Sequence, residues 1–209
     1  MTTPERRRAR RGSAAGLLKD AAREVFAESG YGATTREIAA RAGVSHELIF
    51  RYFGTKEKLF LDAVVAPLLD RIDSMRGSWI EHPEFTTADH DQMIGRFTAG
   101  FYEFMSTNQS IARAMVHLFV AGSTDGEVER LRERVGETLA PIVAPTADYL
   151  AAHGLRQSNP ALQLRLIMLL VGGTATFLRN TYPTDGEVPE ADAVVAELSQ
   201  FISNGFRDS

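Results

Sequence analysis

An all-α fold follows from three features of the sequence. Apolar residues recur at three- and four-residue spacing along most of the chain, and no run alternates apolar and polar in the manner of a strand. Helix-capping residues and glycines divide these runs into segments of ordinary helix length. The chain of 209 residues is expected to form about nine helices, a three-helix head built on a helix-turn-helix followed by a longer helical body. No internal repeat or low-complexity segment interrupts the pattern.

In chain order, residues 1–12, MTTPERRRARRG, carry five arginines and almost nothing apolar, and are expected to be a disordered basic arm. Alone, such an arm is as well read as a solubilising tail. Beside a DNA reader it is better read as following phosphates or entering a minor groove. The head is expected over 13–58. Ser13 caps its first helix, whose apolar face is Leu17, Leu18, Ala21, Ala22, Val25 and Phe26, and Gly30 fits the position just past its end. Phe26 and Tyr31 are assigned to the core.

The most informative stretch is 34–58, TTREIAARAGVSHELIFRYFGTKEK. Thr34 and Glu37 have capping-box spacing, Ile38, Ala39 and Ala42 give an apolar side, and Gly43 supplies the turn. Ser45 is expected to cap a second short helix, with Ile49 and Phe53 inward together with Val44. Two short helices meeting at a glycine with small and apolar contacts form a helix-turn-helix, whose second helix is shaped for a DNA major groove. Gly54 ends that helix and Thr55 caps the next, which runs toward Ile72 with Pro67 as a kink.

The body, 59–209, begins within that helix. A turn-rich connector follows at 77–88, then helices over 88–107, 109–121, 125–153, 160–181 and 189–206. Pro141 and Pro145 should bend or divide the third of these five, and Pro160 suits a first turn.

Composition narrows the function. With no cysteine, disulfides, thiolate metal sites and cysteine nucleophiles are excluded. The most apolar run, 164–178, is broken by Arg165 and a Gly-Gly pair, so no membrane partner is expected and the cytoplasm is the expected location. Residues 1–66 hold 12 Lys and Arg against 8 Asp and Glu; the remainder of the 23 and 27 leaves an acidic body. A basic head on an acidic body suits a polyanion met by the head alone. His46, His82, His90, His117 and His153 show no metal-binding spacing, and no nucleophile elbow or P-loop is present, so neither a metal, a cofactor nor an enzymatic activity is expected.

On the second helix of the motif, His46, Glu47 and Phe50 are expected near base edges, with Arg51 also outward and Tyr52 and Lys56 at phosphates. Ser45 opens that helix; Thr35 and Arg36 open the preceding one, where N–H groups point at phosphate. Lys56 in a helix first turn opposes the dipole at a cost of a few tenths of a kcal/mol, which an external phosphate would offset. In the body, Phe101, Tyr102, Met105, Met115, Phe119 and Tyr149 line either a ligand pocket or ordinary core, as do Trp79, Phe97 and Phe104. His117, in the apolar run MVHLFV, is either a ligand contact or a satisfied core histidine. Gly172 and Gly173 in one apolar helix cost roughly 2 kcal/mol of helix propensity, which a close helix approach would offset; this is read as a dimer contact, with packing inside the subunit as the alternative.

The stretch AAREVFAESGYGATTREIAARAGVSHELIFRYFGTKEKLF resembles the DNA-binding head of the TetR family of bacterial transcriptional regulators. The matching positions are F-x-x-x-G-Y, T-T-x-x-I-A-x-x-A-G-V-S, Y-F and K-E. The resemblance covers about the first 60 residues; the body is similar only in architecture. It implies a homodimer that binds a near-palindromic double-stranded operator. The last two helices of each body would form the interface, here with Leu198, Phe201 and Ile202, and the body would hold a small-molecule inducer whose binding releases the DNA. The family often has tyrosine at the position of Phe50 and glycine at that of Glu47, so the operator sequence does not carry over. The expected function is a ligand-responsive regulator, a repressor. The alternatives are a helical small-molecule carrier or enzyme retaining a basic head, and an architectural DNA binder without an inducer.

Overall fold

The computed structural model describes residues 4–80, 90–120, 126–152 and 159–206. Expectations for His82, His153 and the 81–88 part of the connector lie outside the described residues, as do those for the side chains of the basic arm, Trp79, His90 and Tyr149. Among the described residues there are nine helices and no strand. Helix α1 is Pro4–Ser29, α2 Thr35–Ala42 and α3 Glu47–Phe53. Helix α4 runs over 56–80 as Lys56–Phe60, a π-helical turn Leu61–Val65, and Ala66–Ile80. The body adds α5 His90–Thr107, α6 Gln109–Val120, α7 Gly126–Ala152, α8 Pro160–Phe177 and α9 Ala191–Phe206.

Two local outcomes differ from expectation, each for a physical reason. Residues 4–12 form the first turns of α1 rather than a disordered arm, and Ser13 lies inside the helix. Proline in the first turn followed by Glu, Arg and Ala is strongly helix-forming. In α4 the strain of Pro67 is taken up one turn early. The Ala66 N–H reaches back five residues to the Leu61 carbonyl, widening the helix where a proline ring would strike the carbonyl four residues before it. Of the two alternatives for Pro141 and Pro145, division does not occur: α7 is one helix over Gly126–Ala152. Pro160 behaves as expected: Asn159 caps α8, its side chain accepting from Leu162 N–H at 3.0 Å.

The chain forms two compact units. The first comprises Met1–Leu69 and Ser110–Val135. Its core holds Leu18, Phe26, Ile38, Ile49, Leu59 and Phe60, with Ile111, Leu118 and Leu131 buried on α6 and α7. Phe26, Tyr31 and Phe60 form an aromatic cluster with centroids 5.1–5.8 Å apart. Polar ties complete the unit: Tyr31 Oη to Glu127 Oε1 at 3.3 Å, Arg134 Nε to Glu57 Oε1 at 3.6 Å, and Arg132 Nε to the Leu118 carbonyl at 2.9 Å.

The second unit comprises Asp70–Gln109 and Gly136–Ser209. Within it α5 packs against both α8 and α9, burying Ile94, Phe101 and Met105 with Val171, Val194, Leu198 and Ile202. Phe101 stacks on Phe97 at 5.7 Å. Gln109 Nε2 donates to the Ala175 carbonyl at 3.1 Å, and Arg71 Nη2 to that of Gly100 at 3.2 Å. Thr98 is fully buried on α5, and its hydroxyl oxygen has no hydrogen-bond partner. Helix α8 is more exposed than expected. Leu162–Thr181 is long and apolar enough to cross a membrane, with mean hydropathy 1.3 and only 11% of it buried.

Candidate nucleic-acid interface

The helix-turn-helix is locally determined. Thr34 Oγ1 accepts from the Glu37 N–H at 3.2 Å, and Glu37 Oε2 accepts from the Thr34 N–H at 2.6 Å, closing the capping box. The Thr34 N–H, then its hydroxyl, hold the Glu37 carboxyl below its ordinary value. Gly43 ends α2 at φ +64°, and its N–H and that of Val44 return to the carbonyls of Ala40 and Ala39. That left-handed turn sets the crossing of α3 over α2. Ile49 and Phe53 fix the inner face of α3, and Gly54 closes it at φ +76°.

The opposite face of α3 is free of the core. Glu47, Phe50 and Arg51 are exposed, Phe50 at 49%, while Leu48 and Tyr52 are half-buried. On α2, Arg36 is exposed and Thr35 half-buried. Thr35 and His46 meet across the turn, Thr35 Oγ1 lying 2.8 Å from His46 Nε2. The edge of the His46 ring also faces Phe50, with centroids 5.1 Å apart at 85°. One cluster therefore joins the start of α2 to the start of α3, and holds a histidine against the exposed Phe50 ring.

Ser45 does not cap α3 through its side chain. Its hydroxyl donates to Glu47 Oε2, while its carbonyl accepts from the Leu48 N–H to open the first turn. The acceptor that would have reached a backbone N–H is turned to the nearer carboxylate. Glu47 is held below its ordinary pKa by Ser45, then by its own backbone N–H and by His46, so it stands on this exposed face as a carboxylate.

Lys56 is the residue whose surroundings the sequence did not reveal. Its ammonium lies 3.6 Å from Glu127 Oε2 and 4.2 Å over the Tyr31 ring, and its side chain is 18% exposed. Thr55 caps α4 as expected, accepting from the Lys58 N–H at 3.0 Å. Tyr31 was assigned only to the core and Glu127 had no assigned role, and they are 96 positions apart. No local pattern brings them together.

The body residues separate. Phe101, Tyr102 and Met105 belong to the second unit, whereas Met115, His117 and Phe119 lie on α6 in the first. His117 is an exposed side chain beside Gly30, not a core histidine, and Phe119 is 52% exposed. Gly172 packs inside its own subunit, where an added Cβ would meet Met105 at 3.2 Å and Phe101 at 3.6 Å. Leu198 and Ile202 are likewise buried within the subunit, so these three have little surface left for a partner. Gly173, with nothing within 4 Å of an added Cβ, and Phe201, 70% exposed, face outward. Among the described residues no group of three or more His, Cys, Asp or Glu is placed to hold a metal ion.

Comparison with known proteins agrees with this geometry. Residues 18–63 match the model for bacterial regulatory proteins of the tetR family. Over 46 residues the chain is 52% identical to an HTH-type transcriptional repressor of Mycobacterium tuberculosis, a match covering 22% of this chain and 24% of that protein. The match therefore spans about a quarter of that relative's length. Over 193 residues it is 34% identical to the HTH-type transcriptional activator FasR of Mycolicibacterium smegmatis, covering 91% of this chain and 81% of that protein. Two solved structures share the fold. The fatty acid degradation regulator FadR from Bacillus halodurans has a TM-score of 0.70 at 20% identity, covering 94% of this chain and 97% of its own. FadR from Bacillus subtilis in complex with stearoyl-CoA has a TM-score of 0.65 at 18% identity, covering 91% and 98%.

Proposed function

The chain belongs to the TetR family of bacterial regulatory proteins, and on that premise we propose that it is a dimeric, ligand-responsive transcriptional regulator. Its work is regulation rather than catalysis, carried out in the cytoplasm where operator DNA is found. The observation that carries the DNA reading is the outward face of α3, where Glu47, Phe50 and Arg51 stand exposed on a helix anchored by Ile49 and Phe53. Two such helices, one per subunit, read half-sites of a near-palindrome about 34–36 Å or more apart. Selection of sites from random DNA, followed by binding at moderate salt, tests it. Equal affinity for the selected site and for random duplex would refute sequence-specific reading.

The inducer class to test first is a fatty acyl-CoA, the ligand in the FadR structure from Bacillus subtilis. Support within this chain is the apolar second unit, where Phe101, stacked on Phe97, and the flexible Met105 pack on α8, and the helix that carries them also carries the unpartnered Thr98 hydroxyl. Stearoyl-CoA, and not free CoA, should raise the melting temperature by mass action and weaken operator binding. No shift with either would remove this ligand class.

Repression is the proposed direction, by occupation of an operator that overlaps a promoter. Activation is the second reading, favoured because the relative matched over 91% of this chain is named an activator. A reporter carrying the selected site upstream of, or across, the promoter separates them.

A further inference from the structure

We propose that Glu127 is a positioning residue that withholds Lys56 from DNA, so that the head meets phosphate with one cation fewer than its sequence suggests. This rests on the DNA-binding reading and deepens it.

Lys56 stands in the first turn of α4, beside the reading helix, where an ammonium suits a backbone phosphate. In the structure that ammonium is turned back. It lies over the face of Tyr31 and beside Glu127, while the Tyr31 hydroxyl holds the other oxygen of the same carboxylate. Ring, hydroxyl, carboxylate and ammonium thus form a closed arrangement. Arg134 reinforces it through Glu57, the residue next to Lys56.

Two features make the arrangement exchangeable. Glu127 lies in the first turn of α7, where the helix dipole favours a carboxylate, and Tyr31 stabilises it independently. Its charge is therefore not stranded when Lys56 leaves. A lysine stem also swings freely enough to reach either anion. Lys56 thus partitions between Glu127 and a phosphate. Only in the second state does it release a counterion from DNA, and the salt dependence of binding counts that release.

The test is a double-mutant cycle on the full-length protein, using a random-sequence duplex and the selected operator over a range of salt. Glu127→Gln should tighten binding to both duplexes several-fold and steepen the salt slope by about 0.9, the value for one phosphate contact. Lys56→Met should cost several-fold less affinity in the wild-type background than in the Glu127→Gln background, where it should abolish the gain. Tyr31→Phe keeps the ring but removes the hydroxyl, and should shift affinity in the same direction by less. Glu127→Asp keeps the charge and should retain the wild-type slope. A Lys56→Met loss equal in both backgrounds, or a slope unchanged by Glu127→Gln in a protein with unaltered circular dichroism, overturns the proposal. If no variant binds either duplex even at low salt, the DNA reading itself falls, and with it this inference.

Discussion

Glu47 is a carboxylate on a surface built for a polyanion, and that conflict decides what it is for. On the proposed reading it would repel random DNA, and against a site offering a cytosine amino group at the right step it would accept a hydrogen bond. Glu47→Ala should therefore raise affinity for random duplex while lowering preference for the selected operator by roughly 5- to 150-fold, the span of about 1–3 kcal/mol per base contact. Competition anisotropy with the two duplexes measures both; a parallel rise for both would show that Glu47 only repels. The Ser45 bond that lowers its pKa joins two others of the same sign in the head. Glu37 is held low by Thr34, and Glu28 by the Arg41 guanidinium. Carboxyls held below their ordinary value of 4.5 contribute stability above that pH and lose it as pH falls through their lower folded values. Head stability should accordingly be flat near neutrality and decline below about pH 4.5. Melting of the Glu37→Gln variant should be less acid-sensitive than the parent. The Thr34–Glu37 pair was legible because both partners lie within one turn. Ser45 misled because Glu47, two residues on, took the hydroxyl that a cap needs for a backbone N–H.

At the scale of elements, two glycines show what a sequence does and does not reveal. Gly43 is legible: a glycine between two short apolar-sided helices marks a left-handed turn, and φ is +64° there. Nothing lies within 4 Å of an added Cβ, so Gly43→Ala costs backbone strain alone, about 1–2 kcal/mol. Its melting temperature should fall by roughly 2–4 °C per kcal/mol. The pair Gly172-Gly173 was legible only as a pair. Adjacent residues on a helix point about 100° apart, and which glycine faces inward depends on where α5 lies, a contact made by residues nearly 70 positions away. The structure turns Gly172 onto Met105 and Phe101 and leaves Gly173 outward. Gly173→Ala should therefore gain up to about 1 kcal/mol of helix propensity within the subunit. If a partner helix approaches at that point, the same change should weaken the dimer. Sedimentation and thermal melting together read the two effects apart. The tie between Lys56 and Glu127 was illegible for the same reason: α7 reaches the head only through folding, and no local spacing records it.

At the scale of the molecule, the exposed apolar stripe of α8 is suited to a partner. Leu162, Leu166, Leu169 and Phe177 are 41–66% exposed, and their spacing puts them with Gly173 on one stripe, while Val171 and Gly172 on the same helix are buried against the body. A lipid-facing span would be apolar around its circumference, yet this helix also carries an exposed Arg165 and the half-buried Gln163, Thr174 and Thr176. One apolar stripe with a glycine in it suits a second copy of the same helix, approached closely. Among the side chains described on the last two helices, Phe201 on α9, 70% exposed, is the other large apolar one left outward. Leu169→Arg places a charge on the most exposed part of the α8 stripe. Across a two-fold axis each copy would meet it, and burying an unpaired charge costs about 3 kcal/mol or more. The dimer should weaken by at least about a hundredfold, with the helical signal retained because Leu169 makes little contact inside its subunit. Operator binding should fall with it, since a single head loses the gain of two linked half-sites, while weak affinity for random duplex persists. Sedimentation velocity with and without operator checks both consequences. A variant that stays dimeric and binds operator normally would move the interface off α8, and flotation of the parent protein with liposomes would assign the stripe to a bilayer instead.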